Sequence, residues 1–499
     1  MPRCHAALWL VALCAFSAGA AGQPPDFDGL ARLVERAKAE TAFPTGTAIA
    51  IVRDGRIVYT GQFGQADLRA GEPVTADTRF YIASVTKPFT ALAALIQAER
   101  GVLDRGTTLR EMFPEVAFEG IDAGRVGVRE LLVHTSGVVN APLVWSTAFS
   151  GIHDADSRRR MVALSIPNDE APLGRFDYSN VGYTLYSVWA EARTGRSWQQ
   201  QVTDTVLRPL GLSQTTTSID ALRKAGVPLA LPYSPLSPVR DLPVALQKTD
   251  ATLHAAGGLY ATSGDLARFL IAQIDRGRVR GRQRLPAAVI ARSQQVQTVT
   301  DGEPYQDFQR EGYAWGWYAG PYKDHRMYHH FGSFAGYHAH LSFIPEARIG
   351  LVVLNNEDLL SARLSTLIAD YAYATLLDEA GVEARVSARL TTWLDEARSL
   401  DAQLAEHRRR LQARAWQLSL PMAAYAGRYT HPLLGEVTVT HDAEGLQLQW
   451  GPLQARATAY EAPDQARVEF VPGSGQVVRF RLEDGQVVGV EFDGLRFAR

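Results

Sequence analysis

Cysteine is almost missing from this 499-residue chain: there are two, Cys4 and Cys14, both within the first fourteen residues. Past that point the sequence offers no disulfide, no catalytic thiolate and no cysteine metal ligand. Charge imbalance is missing as well. A net charge of −2 supplies no field for nucleic acid, and the arginine runs at 158–160 and 408–410 read as solvated helix surface, so no nucleic-acid partner is expected. The apolar run Ala6–Phe16 is too short to cross a bilayer, and no transmembrane segment is expected. It follows Arg3 and His5 and precedes the small residues SAGAAG, which is the form of a secretory signal peptide over residues 1–22. The mature chain is therefore expected to be exported, periplasmic or secreted.

Lysine is the scarce cation, with five residues (38, 87, 224, 248 and 323) against forty-six arginines. One of the five stands three residues after Ser84 in FYIASVTKPFTALAALIQAERG (80–101). A generic surface cation in this chain would be arginine. Lysine can lose its proton when desolvated and arginine in effect cannot, so position 87 asks for titratable chemistry.

The spacing predicts a helix over 27–40, then a hairpin over 46–67 turning at Asp54-Gly55. From Ser84 the period changes to 3.6, with Phe89, Leu92, Ala93 and Ile96 on one face. A mostly helical middle runs to about residue 275, interrupted by the proline-rich loop 227–243. Strands are expected again at 312–320, 338–344 and 349–356, followed by a helix over 359–377. This order predicts an α+β domain, an antiparallel sheet built from both ends of the segment and flanked by helices, with a helical subdomain between. Its expected span is residues 23–382. A connecting helix (383–417) and a small all-β, barrel-like domain (418–499) complete the chain.

A serine hydroxyl is a weak nucleophile and needs a proton acceptor and a place for the oxyanion. At a helix start, the backbone N–H of Ser84 has no intrahelical partner, and Lys87 falls one turn later on the same face. Ser-x-x-Lys recurs by chance, and by itself it reads as a helix cap followed by a surface lysine. Two further segments accompany it. GRFDYSNVGY places Tyr178 and Asn180 before an apolar helical stretch; beside a lysine cation the Tyr178 phenol would have its pKa lowered enough to act as a base, and the Asn180 amide would bridge the lysine and a substrate carbonyl. HHFGSFAGYHAHLSF (329–343) places His330 and Gly332 before a strand-like run. There the glycine would admit a ligand to an edge strand, and the Ser333 N–H would be a second oxyanion donor.

In this order the three pieces resemble the serine β-lactamase and penicillin-binding-protein superfamily, class C-like branch, with its Ser-x-x-Lys, Tyr-x-Asn and Lys/His-x-Gly. LLVHTSG (131–137), PLGLSQT (209–215), AAGGLYATSGDLARFL (255–270) and GYAWGW (312–317) extend the resemblance over about residues 27–380, and the β-rich tail resembles the small barrel-like domain of some members. The resemblance implies a β-lactamase/transpeptidase-like domain and a serine hydrolase in which Ser84 is acylated. Lys87 and Tyr178 would share the proton work, with the base left open between them, and Asn180 would orient Lys87 and substrate. His330, Gly332 and Ser333 would line the strand side of the cleft. No cofactor or metal is implied, and the partner is a small-molecule or short-peptide substrate.

Members acting on penicillins or cell-wall peptides usually carry lysine at the position of His330. Histidine is mostly neutral near pH 7 and reaches less far, which weakens the pull on a carboxylate and favours esters or D-amino-acid amides and peptides over β-lactams. The alternative is a β-lactamase or D-Ala-D-Ala carboxypeptidase; from other classes come a catalytically silent binding or sensor protein and a metal site. The metal reading rests on His325, His329, His330, His338 and His340, within sixteen residues, but no carboxylate-bearing ligand set accompanies them. His134 reads as a buried structural histidine.

Overall fold

The computed structural model describes residues 26–237 and 239–499; the proposed signal peptide and both cysteines lie outside them. The elements that matter here are α1 (Asp28–Glu40), β1 (Thr47–Arg53), β2 (Arg56–Phe63), α2 (Thr86–Glu99), α3 (Val181–Thr194), α4 (Ser263–Ile274), β3 (Thr298–Val299) and β4 (Gly312–Tyr313). They are followed by β5 (Tyr318–Tyr322), β6 (His325–Phe334), β7 (Tyr337–Ile344), β8 (Ile349–Asn355), α5 (Ser361–Leu376) and α6 (Val382–Gln412). Among the described residues no helix is long and apolar enough to cross a membrane.

Strands β3 to β8 pair in chain order and the N-terminal hairpin completes the sheet, so β1 lies between β8 and β2, with Thr47 opposite Asn355. Every inter-strand pairing is antiparallel. The sheet is covered on both faces, which explains the unbroken burial from Thr47 to Val52. Ile49 and Ile51 join the cluster formed with α1, α5 and α6, whereas Ala48, Ala50 and Val52 join the one containing α4. Asp54 and Gly55 both have positive φ, the backbone that a two-residue hairpin turn requires.

Two segments differ from the sequence-based expectation. The stretch 312–320 is a pair of short strands, because Gly316, at φ 82, turns the chain at a point where its missing Cβ would stand 2.6 Å from the Pro88 Cα. Residues 325–334, rich in histidine, form a ten-residue strand, β6, that alternation alone does not reveal. Helix α2 differs in a third way. Every residue from Thr86 to Gln97 is buried, so it is a central helix packed all round and not an amphipathic one.

The C-terminal part is a nine-stranded sheet. Its two edges, Leu453–Arg456 and Thr458–Ala459, are separated in the chain by Ala457 alone, so the sheet returns on itself as a nearly closed barrel. Trp450 and Phe492 of this barrel pack on Trp145, with ring centroids 5.8 and 6.0 Å away. The next turns of the chain, Ser146–Ser150, carry Phe149 to within 5.9 Å of the Phe334 ring at the end of β6.

Candidate active site

Ser84 sits on a single 3-10 turn, Ala83–Val85, that leads into α2. Ala83 has φ 45, a left-handed backbone that an alanine adopts only when its surroundings impose it. Those surroundings are visible. Phe80-Tyr81 pairs with Tyr260-Ala261, the Ile82 N–H donates to the Leu259 carbonyl, and the Thr86 hydroxyl accepts from the Gly258 and Leu259 N–H groups at 3.0 and 3.1 Å. The other wall is β6. A Cβ on Gly332 would stand 2.0 Å from the Ile82 carbonyl oxygen and 3.1 Å from the Ser84 nitrogen. Glycine there accommodates the backbone of the Ser84 turn, where the sequence suggested an approaching ligand. β5 stops pairing with β6 at His329, so the segment beyond it, which carries Gly332 and Ser333, is a local edge facing the Ser84 turn.

Lys87 is fully buried. Its Nζ stands 2.9 Å from the Ser84 Oγ, 2.8 Å from the Asn180 Oδ1 and 3.1 Å from the Ala256 carbonyl oxygen. Burial alone holds this amine well below its ordinary value, since removal from water penalises the charged form. Nζ also lies 4.7 Å from the centre of the Tyr178 ring.

Tyr178 behaves differently from the sequence-based expectation. Its phenol is pushed well above 10, first by burial and then by the Tyr318 phenol beside it, with its hydrogen bond to Ser84 opposing. The residue is 37 % exposed, and solvent at the ring limits the rise without reversing it. The expected lowering by Lys87 is outweighed by the burial of the phenol. Tyr178 and Asn180 are positioned from below by His134, whose Nδ1 accepts the Ser179 N–H at 3.2 Å and whose carbonyl accepts the Asp177 N–H. The ring packs 4.6 Å from that of Tyr178, and burial holds it neutral. Gly182 lets α3 begin against the Leu131 carbonyl, which a Cβ would approach to 2.0 Å.

His330 is buried and held neutral, mainly by burial and then by Lys87. Its Nδ1 lies 2.7 Å from the Phe331 carbonyl oxygen and its Nε2 3.3 Å from the Tyr313 hydroxyl. A carbonyl only accepts, so Nδ1 carries the proton and Nε2 is the acceptor. Such a ring has no N–H left for a substrate carboxylate. His329, His338 and His340 pack against Phe308 and Phe331, away from Ser84, and His325 pairs with Glu346 at 2.8 Å. Among the described residues no group of three or more histidine, cysteine, aspartate or glutamate side chains could hold a metal ion.

Two basic residues near the site escaped the sequence reading. Arg310 stacks on the Tyr318 ring, 3.9 Å from its centre; it has no acidic partner among the described ion pairs, its Nε is buried without a hydrogen-bond partner, and it lowers the pKa of both Tyr178 and His330. Lys248, fully buried, donates to the Ala148 carbonyl at 2.6 Å and lies 3.8 Å from the centre of the Phe334 ring; burial brings its pKa to about 7. The scarcity of lysine that marks position 87 marks 248 equally. Arg310, one arginine among forty-six, carries no such signal.

A mixed sheet-and-helix domain of this topology, followed by a nearly closed barrel, is the β-lactamase/transpeptidase fold of serine hydrolases. The chain belongs to the beta-lactamase family, whose model matches residues 30–373. It is 27% identical over 342 residues to a beta-lactamase of Yersinia enterocolitica, covering 63% of this chain and 82% of that one. It is also 24% identical to the unguisins hydrolase ungD' of Aspergillus campestris over 489 residues, 94% of this chain and 86% of the relative. Among solved structures, an octameric penicillin-binding protein homologue from Pyrococcus abyssi superposes with a TM-score of 0.59 at 24% identity, over 94% of this chain and 99% of that one.

Proposed function

We propose that this hydrolase works through an acyl-enzyme on Ser84, acting on a carboxylic ester or on a D-amino-acid amide or peptide. The observation that carries the reading is the 2.9 Å approach of a buried lysine amine, with no carboxylate bonded to it, to the Ser84 hydroxyl. The amine is held toward its neutral form and the Tyr178 phenol toward its protonated form, which favours Lys87 as base and Tyr178 as acid in the free enzyme. The two titrate as a coupled pair.

In the proposed sequence the Ser84 Oγ attacks the carbonyl carbon as its proton passes to Lys87. The Ser84 and Ser333 N–H groups hold the oxyanion, and Tyr178 protonates the departing alkoxide or amine. Asn180 fixes the Lys87 amine and one face of the substrate. Water, deprotonated by the same pair, then releases the acid and restores Ser84.

Neutral His330, with its Nε2 turned to Tyr313, supports esters and amides over β-lactams. The second reading, a D-Ala-D-Ala carboxypeptidase or β-lactamase, draws on Arg310, which offers a carboxylate the cation that His330 does not. Export of the mature chain remains part of the proposal and is read from residues 1–22; the mass of the secreted protein tests it.

A fluorophosphonate probe tests the nucleophile. Wild type should be labelled and Ser84→Ala should not, and a chelator should leave labelling unchanged. Turnover of a short-chain p-nitrophenyl ester or a D-amino-acid p-nitroanilide should exceed that of nitrocefin; the reverse order would favour the second reading.

A further inference from the structure

Far along the chain from the site residues, IDRGRVRGRQRLP (274–286) carries five arginines in nine residues, 276 to 284, with no acidic residue among them. Their alternation with other residues conceals the run. The segment folds as a small hairpin, Arg278–Val279 paired with Arg282–Gln283, and none of the five arginines makes an ion pair among the described residues, the neighbouring Asp275 being engaged by Arg348. Like charges this close repel one another unless something neutralises them.

Arg280 and Arg284 line a cavity of about 570 Å³ together with Arg208, Arg268, Ser213 and Gln214. None of the proposed catalytic residues lines it. The carboxylates that touch these cations are already engaged: Asp204 is shared by Arg208 and Arg196, and buried Asp265 holds Arg268 while accepting from the Gln214 N–H and the Thr215 hydroxyl. Four arginines thus line one space, against the carboxylates of Asp204, Asp265 and Asp77, the last accepting from the Gln214 side chain. The turn is unusual too. Arg280 and Gly281 have φ 51 and 73, the mirror-type turn in which asparagine or aspartate normally takes the first place. The chain tolerates an unfavourable backbone there at a residue that lines the cavity.

We infer that this cavity binds phosphate groups that together carry several negative charges, either those of a free oligophosphate or the phosphodiester headgroups of an anionic lipid surface. Guanidinium forks suit phosphate oxygens bidentately, and the space is of the size that holds small ligands.

The test uses the full-length protein. Inorganic triphosphate is titrated by calorimetry at low and at 0.5 M salt, and phosphatidylglycerol vesicles are compared with phosphatidylcholine vesicles by co-flotation. The pair Arg280→Asn with Arg284→Ser is compared with the charge-matched pair Arg409→Ser with Arg410→Ser on α6. Asparagine suits the turn, so the first pair should fold, and its Ser84-dependent ester hydrolysis should match wild type. Salt-sensitive binding of triphosphate or of anionic vesicles, weakened about tenfold or more by the hairpin pair and less than about twofold by the control, supports the site; whichever probe binds identifies the source of the phosphate. Binding of neither probe, or an equal loss in both pairs, overturns the inference.

Discussion

The Lys87 amine and the Asn180 side-chain oxygen lie 2.8 Å apart, joining the first turn of α2 to the N-terminus of α3 across the buried heart of the helical half. The amine reaches no acid, and its low pKa comes from burial alone. Lys87→Arg keeps a cation that cannot be shed, so esterase kcat/KM should fall by about a thousandfold while the protein stays folded. In wild type the acid limb of kcat/KM should lie well below the ordinary lysine value, because the proposed mechanism uses the free amine. The alkaline limb should lie above pH 10, because in the proposed mechanism Tyr178 keeps its proton. A pH–rate profile on a p-nitrophenyl ester checks both; an acid limb near the ordinary lysine value would mean that the amine is charged.

Gly332 is a steric requirement. In Gly332→Ala the new methyl would have to displace the Ile82 carbonyl or the strand itself, so the Ser84 hydroxyl shifts relative to the Ser333 N–H. A loss of about a hundredfold in kcat is expected, with about 1–3 kcal/mol of stability. Slowed fluorophosphonate labelling together with a lowered melting temperature is the signature; unchanged labelling would show that the strand gives way freely.

Arg310 divides substrates by charge. Arg310→Ala should raise KM about tenfold for a D-peptide with a free C-terminal carboxylate and leave the neutral p-nitrophenyl ester within about twofold. Equal effects on both substrates would assign Arg310 to holding Tyr318 in place.

The histidines behind the sheet predict acid sensitivity. Burial takes His329 and His338 to about 3 and lowers His340 as well, so between roughly pH 6.5 and 3 the unfolded chain binds protons that the folded core refuses. Their contribution to stability is complete above pH 6.5 and is lost as pH falls. The melting temperature should therefore decline from pH 7 to pH 4.5, and His340→Leu should flatten that slope by about a third. A slope unchanged by the substitution would place the acid sensitivity elsewhere.

Much of this was legible in the sequence because it is local. The hairpin at Asp54-Gly55, the helix before it and the Ser84–Lys87 spacing follow from periodicity and turn chemistry, and the family resemblance supplied the order of the segments. What escaped depends on packing between distant segments. The all-round burial of α2 is invisible to a pattern that shows one apolar face. The direction of the Tyr178 shift is set by burial of the phenol and by the Tyr318 phenol beside it, and both depend on residues remote in sequence. Arg310 acquires its position from a loop folding back onto Tyr318, and strand β6 owes its existence to partners on both sides more than to its own alternation.

The placement of β1 between β2 and β8 has a consequence for biosynthesis. Thr47 finds its partner in Asn355, and Trp145, from which the chain continues to place Phe149 beside Phe334, rests on Trp450 and Phe492, so the parts that steady the cleft leave the ribosome last. Contacts this distant form slowly. A nascent chain therefore holds Ser84 and Lys87 in an unassembled cleft until synthesis is nearly complete.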